Sequence, residues 1–264
     1  MKQLLVNTRA GQAALSMRRT IQAIKTTLFT PERAGDEAND YIASTLLTGL
    51  CLPGRTFVDV GSHIGSVVSQ VLRKCPDVSI EAIEADPTKA KSLAKKFPGV
   101  RVHACACAAE TGTLSFYLDE LRPGYSSLVR PENSTAIKEI VVPVARLDDL
   151  VAGRAVDVIK VDVEGAELRV LSGARAIVEV CRPTIMFESV GGSVDEWSEI
   201  WDWFNSRRYD ILCPNRLAHT AGGMSFDTFA ESHYYPRRCS NYFGVARERR
   251  DEIRHRARAI QGFA

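Results

Sequence analysis

Between Thr56 and Ala246 short β-branched runs alternate with helical patterns. That alternation restricts the chain to an α/β fold, a mostly parallel sheet covered by helices on both faces. The spacing predicts strands over 56–60, 78–83, 100–107, 156–161, 184–187, 209–213 and 242–246. Helices are expected over 66–74, 88–97, 166–180 and 196–206, and a β-excursion over 113–118 and 140–144. Upstream, Ala14, Met17, Ile21, Ile24 and Leu28 recur at spacings of three and four, one face of an amphipathic helix. A second helix follows over 36–50 and stops near Pro53-Gly54. The expected organisation is an N-terminal helical extension, 1–52, on one α/β domain, 53–264.

Composition narrows the class further. Hydrophobic content of 45% and charge of 25% over 264 residues are those of a globular chain. The longest apolar runs reach about half of the ~18 residues that crossing a bilayer needs, so no integral membrane segment is expected. Seven cysteines without a CxxC pair or a Cys/His ladder argue against a disulfide scaffold or structural zinc, and for a cytoplasmic home. Residues 1–31 carry +5 and 237–264 another +5, so against a net +2 the middle holds −8. An acidic body argues against a nucleic-acid groove. The basic ends read as solvated helices. The first of them suits packing on the domain or on a second copy in a homodimer, although its lack of acids also has the look of a transit peptide.

In a parallel sheet, ligands bind outside the carboxyl ends of the strands where the strand order reverses. The first strand-turn-helix reads Asp59-Val60-Gly61-Ser62-His63-Ile64-Gly65. His63 stands where a pyrophosphate fingerprint needs glycine, which counts against a dinucleotide. An acid at the strand end repels phosphate but suits an ammonium, and Glu84, ending the second strand, can accept bonds from a ribose diol. Together they ask for an adenosine that bears an amino acid, which S-adenosylmethionine is. Further on, Val158-Ile159-Lys160-Val161-Asp162-Val163-Glu164-Gly165-Ala166-Glu167 runs a buried strand into three carboxylates. Acids clustered there are costly without a partner. Glu167 also reads as a first-turn acid favoured by the helix dipole.

These segments, with Glu84-Ala85-Asp86-Pro87, Gly124-Tyr125-Ser126-Ser127-Leu128, Arg146-Leu147-Asp148-Asp149-Leu150 and Arg182-Pro183-Thr184-Ile185-Met186-Phe187-Glu188, resemble the FkbM-type methyltransferases over residues 53–190. Ser62-His63 departs from the Ala-Asn common at that turn. The resemblance implies a class I, Rossmann-like fold with a seven-stranded sheet. It also implies S-adenosylmethionine as cofactor and O-methylation of a sugar, glycolipid or polyketide-type natural product. The cofactor set is then Asp59, Gly61, Ser62, His63, Gly65, Glu84, Ala85, Asp86, Ala106 and Asp162. No metal ligand is assigned.

An alcohol acceptor calls for a positioned base. Candidates are Asp162, Glu164, Glu188 and His103, with His63 behind them and Lys160 as a structural counter-ion. His103 also reads as an ordinary strand histidine. Ser126, Ser127 and Glu167 are candidates to line the acceptor site, the serines reading equally as turn hydroxyls. Two alternatives stand beside this reading. Asp162, Glu164 and Glu188 suit a divalent cation, giving a metal-assisted enzyme. The fold can also serve as a non-catalytic binding module for a nucleotide or a partner. Trp197, Trp201 and Phe204 sit at helical spacing and read as core, or as a wall facing the acceptor.

Overall fold

The computed structural model describes residues 28–119, 127, 128 and 136–263, together with Met17, Ile21, Thr26 and Leu121. Helix α1 (Ala34–Leu50) leads into β1 (Thr56–Val60), α2 (Ser66–Lys74), β2 (Ser79–Ile83), α3 (Pro87–Lys96) and β3 (Arg101–His103). There follow β4 (Ala106–Cys107), the hairpin β5 (Gly112–Asp119) and β6 (Ile137–Ala145), the short α4 (Leu147–Leu150) and β7 (Val156–Val161). The chain continues through α5 (Glu167–Ser172), α6 (Arg175–Cys181), β8 (Thr184–Glu188), α7 (Val194–Ser206) and β9 (Tyr209–Leu212). It ends with α8 (Phe226–Glu231), β10 (Asn241–Ala246) and α9 (Arg250–Gln261).

Seven strands form the expected main sheet, in the order β3-β2-β1-β7-β8-β10-β9. Contacts from β3 through β8 are parallel, and β10 runs antiparallel to both β8 and β9. Alternation along β1 and β7 divides the core in two. Val58, Val60, Ile159 and Val161 pack with Val170 of α5, Val178 of α6 and Phe204 of α7. Phe57 and Val158 face the other way, toward Leu46 and Leu47 of α1, Val71 of α2 and Ile253 of α9. Helix α1, from the stretch assigned to the N-terminal extension, thus lies in the core of the sheet. Of the amphipathic stretch before it, Met17, Ile21 and Leu28 are helical and exposed, while Ala14 and Ile24 fall outside the described residues. Among the described residues, no helix is long and apolar enough to cross a membrane.

Two elements differ from the spacing. The third strand breaks at Cys105, because Ala106 and Cys107 leave β3's sheet and pair with Val144 and Ala145 of β6. The β-excursion is thereby closed into a second, three-stranded sheet, β4-β6-β5. The helix expected over 166–180 breaks at Gly173, where a Cβ would stand 2.1 Å from the Ala108 carbonyl oxygen. The new N-terminus at α6 is capped from a distance. Asp148 accepts the amide protons of Ala176 and Ile177 at 3.1 and 2.9 Å, and is itself held by Arg146 at 2.7 Å. The Arg-Leu-Asp-Asp-Leu motif is therefore a clamp between α4 and α6, with Leu147 fully buried beneath it. Asp148→Ala should remove this cap and lower stability by about 1–2 kcal/mol, read from urea denaturation at an unchanged slope.

Candidate active site

The order of the main sheet reverses at β1, with β2 and β3 laid on one side and β7 and β8 on the other. The crevice at that reversal is where a ligand is expected. Its two lips meet closely. Gly61 has φ +82°, and a Cβ there would lie 1.8 Å from the Asp162 carbonyl oxygen, so only glycine lets the strand ends touch. The Gly61 and Ser62 amides both donate to the Ile83 carbonyl at 3.0 Å. His63 follows in the left-handed region at φ 49°, its amide donating to Glu84 Oε2 at 2.7 Å. Glu84 Oε1 accepts from the Asp86 amide at 2.9 Å.

Beneath the lips the buried Lys160 and Asp59 join Asp162, at the edge of the cleft, in an ion triplet. Lys160 Nζ stands 3.3 Å from Asp59 Oδ1 and 3.0 Å from Asp162 Oδ2, and also donates to the Gly61 carbonyl at 3.4 Å. Asp59 is fully buried, and among the described residues neither of its side-chain oxygens meets a donor in full hydrogen-bond geometry, so its contact with Lys160 is chiefly an ion pair. Burial raises the Asp59 pKa against the pull of Lys160. Burial opposes the charge on Lys160 too, but the Asp162 and Asp59 carboxylates outweigh it and hold the ammonium protonated.

Around the β7 end, Asp162, Glu164 and Glu188 bring carboxylate oxygens within 4.8 Å of one another. Burial pushes Asp162 up, yet Lys160 pulls it below the ordinary range, so it is ionised. Glu188 is pushed up to about 9 by burial and by the charges of Asp162, Glu164 and Glu167. It therefore carries the proton of a hydrogen bond to Asp162 at neutral pH. Glu164, at φ 54°, is raised to about 7 by burial and then by Asp162 and Glu167. Three neighbouring acids thus hold their protons with three different affinities, the pattern that separates acid from base roles.

A cleft of about 270 Å³ opens beside this cluster. Of the expected residues, Gly61, His63, Glu84, Ala85, Ala106, Asp162 and Glu164 line it. Ile83, Cys105, Cys107, Phe116 and Leu128 add an apolar wall, and Lys89 a cation; of these the sequence singled out only Leu128, within its motif and without a role at the site. The alternation of β5 predicts a strand carrying Phe116 but not the sheet it joins. His63 Nε2 is buried without a hydrogen-bond partner among the described residues. An acid at each end, an apolar wall and an orphaned nitrogen fit an adenosyl group bearing a cation.

The other expected residues sit elsewhere. His103 is not in the cleft: its Nε2 lies 2.8 Å from Glu81, which also pairs with Arg101 and Arg154, making it the strand histidine of the plainer reading. Asp59 is the counter-ion of Lys160 rather than a cleft residue. Ser62 donates to the Asp59 carbonyl at 2.7 Å, and Asp86 caps α3 through the Thr88 and Lys89 amides. Gly65 is the left-handed residue that starts α2. Ser127 donates to the Glu164 carbonyl at 2.6 Å, and Glu167 Oε1 accepts from the Val163 and Gly165 amides at 3.2 Å. Both hold the carboxylate turn in shape instead of facing the crevice. Ser126 lies outside the described residues.

A family model described as the methyltransferase FkbM domain matches residues 59–211. The chain belongs to the FkbM methyltransferase family. Methyltransferase 1 of Beauveria bassiana is 28% identical over 158 residues, covering 47% of this chain and 64% of that protein. Methyltransferase sdnD of Sordaria araneosa is 30% identical over 175 residues, covering 50% of this chain and 68% of the relative. The chain thus spans less than two thirds of the first of these relatives. Among solved structures, methyltransferase FkbM of Methylobacillus flagellatus KT is similar with a TM-score of 0.49 at 18% identity, covering 74% of this chain and 44% of that one.

The raised Glu188 gives a test of the cluster. The folded state binds that proton more tightly than the unfolded state, whose pKa is near 4.5. The Glu188 contribution to stability is therefore present below pH 4.5 and is lost as pH rises toward about 9. Glu188→Gln keeps the shape without the titration, and its stability profile should be flatter than wild type over that window in urea melts at a series of pH values.

Proposed function

We propose that this chain transfers the methyl group of S-adenosylmethionine to a hydroxyl of a sugar, glycolipid or polyketide-type acceptor. The observation that carries the reading is the Asp162, Glu164 and Glu188 trio at the reversal of the sheet, beside a cleft with Glu84 at its other end. When bound, the cofactor supplies an electrophilic methyl on a sulfonium cation. Glu84 already accepts two backbone amides and keeps lone pairs free for a ribose diol. Asp162, kept ionised by Lys160, complements the positive charge of the ligand. Glu164 takes the acceptor proton, since a base works best with a pKa near the operating pH. Glu188 stays protonated and occupies Asp162 with a hydrogen bond, so the two do not compete with Glu164 for that proton. The apolar wall at Phe116 and Leu128 excludes water. Seven cysteines carried as free thiols support a cytoplasmic enzyme. The exposed Met17, Ile21 and Leu28 support pairing of N-terminal helices in a homodimer.

Asp162→Asn is expected to raise the dissociation constant for S-adenosylmethionine in calorimetry. Glu164→Gln should leave binding nearly intact and slow methyl transfer by ~10²–10⁴. Because the base must be deprotonated, the wild-type rate should rise with pH through about 7 and then level, a step absent from Glu164→Gln. Wild-type turnover and affinity in both variants would make the cluster structural. Binding of the cofactor without turnover on any hydroxylated acceptor would mark a non-catalytic module.

The same three oxygens, within 4.8 Å of one another, favour a second reading in which they hold magnesium or calcium that orients the acceptor. Methylation insensitive to a chelator is the outcome expected of carboxylate base catalysis. Loss of turnover with EDTA, restored by magnesium, would select the metal-assisted enzyme.

A further inference from the structure

The seven cysteines are free thiols, and all but Cys181 are buried. Two of them meet. Cys239 donates its S–H to Cys213 across 3.1 Å, the two lying 26 positions apart, and Met224 Sδ stands 3.8 Å from Cys213. Cys213 directly follows β9 and Cys239 shortly precedes β10, so the β9–β10 ladder fixes the backbone on both sides of the pair. That places them at the end of the sheet where Glu188 lies, for Asn241 of β10 pairs with Glu188 and the Ser240 carbonyl accepts the Ser189 amide at 2.9 Å.

The segment between the two thiols packs beside the site. Phe229 of α8 lies edge-on to Tyr242, and His233 stacks on Trp197 with ring centroids 4.4 Å apart. His233 Nδ1 donates to the Phe229 carbonyl and Nε2 accepts from Ser189, each at 2.8 Å. A bond between Cys213 and Cys239 would close the neck of this segment.

We propose that Cys213 and Cys239 form a site of reversible oxidation, taking hydrogen peroxide as oxidant and closing the 214–238 segment with a disulfide. Cys213 is the attacking sulfur. The Cys239 S–H bond and the nearby Arg238 and Arg216 charges favour its thiolate, whereas the same hydrogen bond and burial hold Cys239 protonated. The thiolate takes one peroxide oxygen as the O–O bond breaks, leaving a sulfenic acid and a hydroxide that becomes water. Cys239 sulfur then displaces the sulfenic oxygen, which leaves as a second water with the Cys239 proton. Two thiols lose two electrons, and one peroxide becomes two waters. This holds whichever acceptor the enzyme methylates.

The test uses the full chain, exposed to hydrogen peroxide near stoichiometry, alkylated and measured by intact mass and peptide mapping. Loss of two hydrogen masses, mapped to a Cys213–Cys239 cross-link and regained with dithiothreitol, is expected. No such loss, or a cross-link between other cysteines, would overturn the proposal. In Cys239→Ser the reaction should stop at Cys213 sulfenic acid and be trapped by dimedone. The mapped bond in wild type stands as the criterion whether or not that variant folds.

Discussion

A single buried ammonium organises the centre of this protein. Asp59 and Lys160 are register partners on β1 and β7, and Lys160 also reaches Asp162 just past the strand end. A charge that deep is tolerable only when paired, and Lys160 or Asp59 would be costly alone. Holding Asp162 ionised has a consequence one residue layer further out. Two neighbouring carboxylates cannot both ionise cheaply in a buried site, so Glu188 keeps its proton while Glu164 rests near neutrality. The protonation ladder that makes one acid a candidate base begins with a lysine buried beneath the cleft.

The lips above the triplet are held by backbone more than by side chain. His63 and Glu164 both take positive φ, which costs a residue with a Cβ of order 1–3 kcal/mol and persists only where surroundings over-determine it. Those surroundings are visible. Glu84 receives the His63 amide, while Glu167 and Ser127 brace the Glu164 turn from two sides. Ser127 also pairs through its backbone with Tyr117 of β5, so the second sheet is tied to the carboxylate turn. Phe116 reaches the cleft from the same strand. The β-excursion is therefore a wall of the site, not an ornament on the domain.

Hydrophobic periodicity made the main sheet legible, since strands buried on both faces read as continuous apolar runs. It also located the crevice, because strand ends carry the chemistry in such a sheet. It could not distinguish partners. Asp59, Asp86, Ser62, Ser127 and Glu167 are polar residues at strand or helix ends, where ligand contact and backbone capping leave the same mark in one sequence. Only the fold shows that each is committed to the protein's own amides, carbonyls or ammonium. His103 was ambiguous for another reason: its partner Glu81 lies on a neighbouring strand at a distance alternation cannot encode. The breaks at Cys105 and Gly173 were hidden because both are set by long-range contacts, the first by β4 pairing with β6 and the second by the Ala108 carbonyl.

The electrostatics of the cleft carry one step further under the proposed reaction. Lys160 pairs with Asp59 and keeps Asp162 ionised at the opening. Glu84 at one end and Asp162 with Glu164 at the other give the cleft a negative field, offset in its lining by Lys89. A cationic sulfonium meets that field, whereas the neutral thioether left after methyl transfer does not. The same carboxylates would then hold the substrate form of the cofactor more tightly than its product form. Uniform binding of both would add affinity without helping turnover. A charge lost in the reaction itself lets the acids attract the incoming cofactor and weaken their hold on the spent one. The buried lysine contributes to this by keeping Asp162 charged at the edge of the cleft.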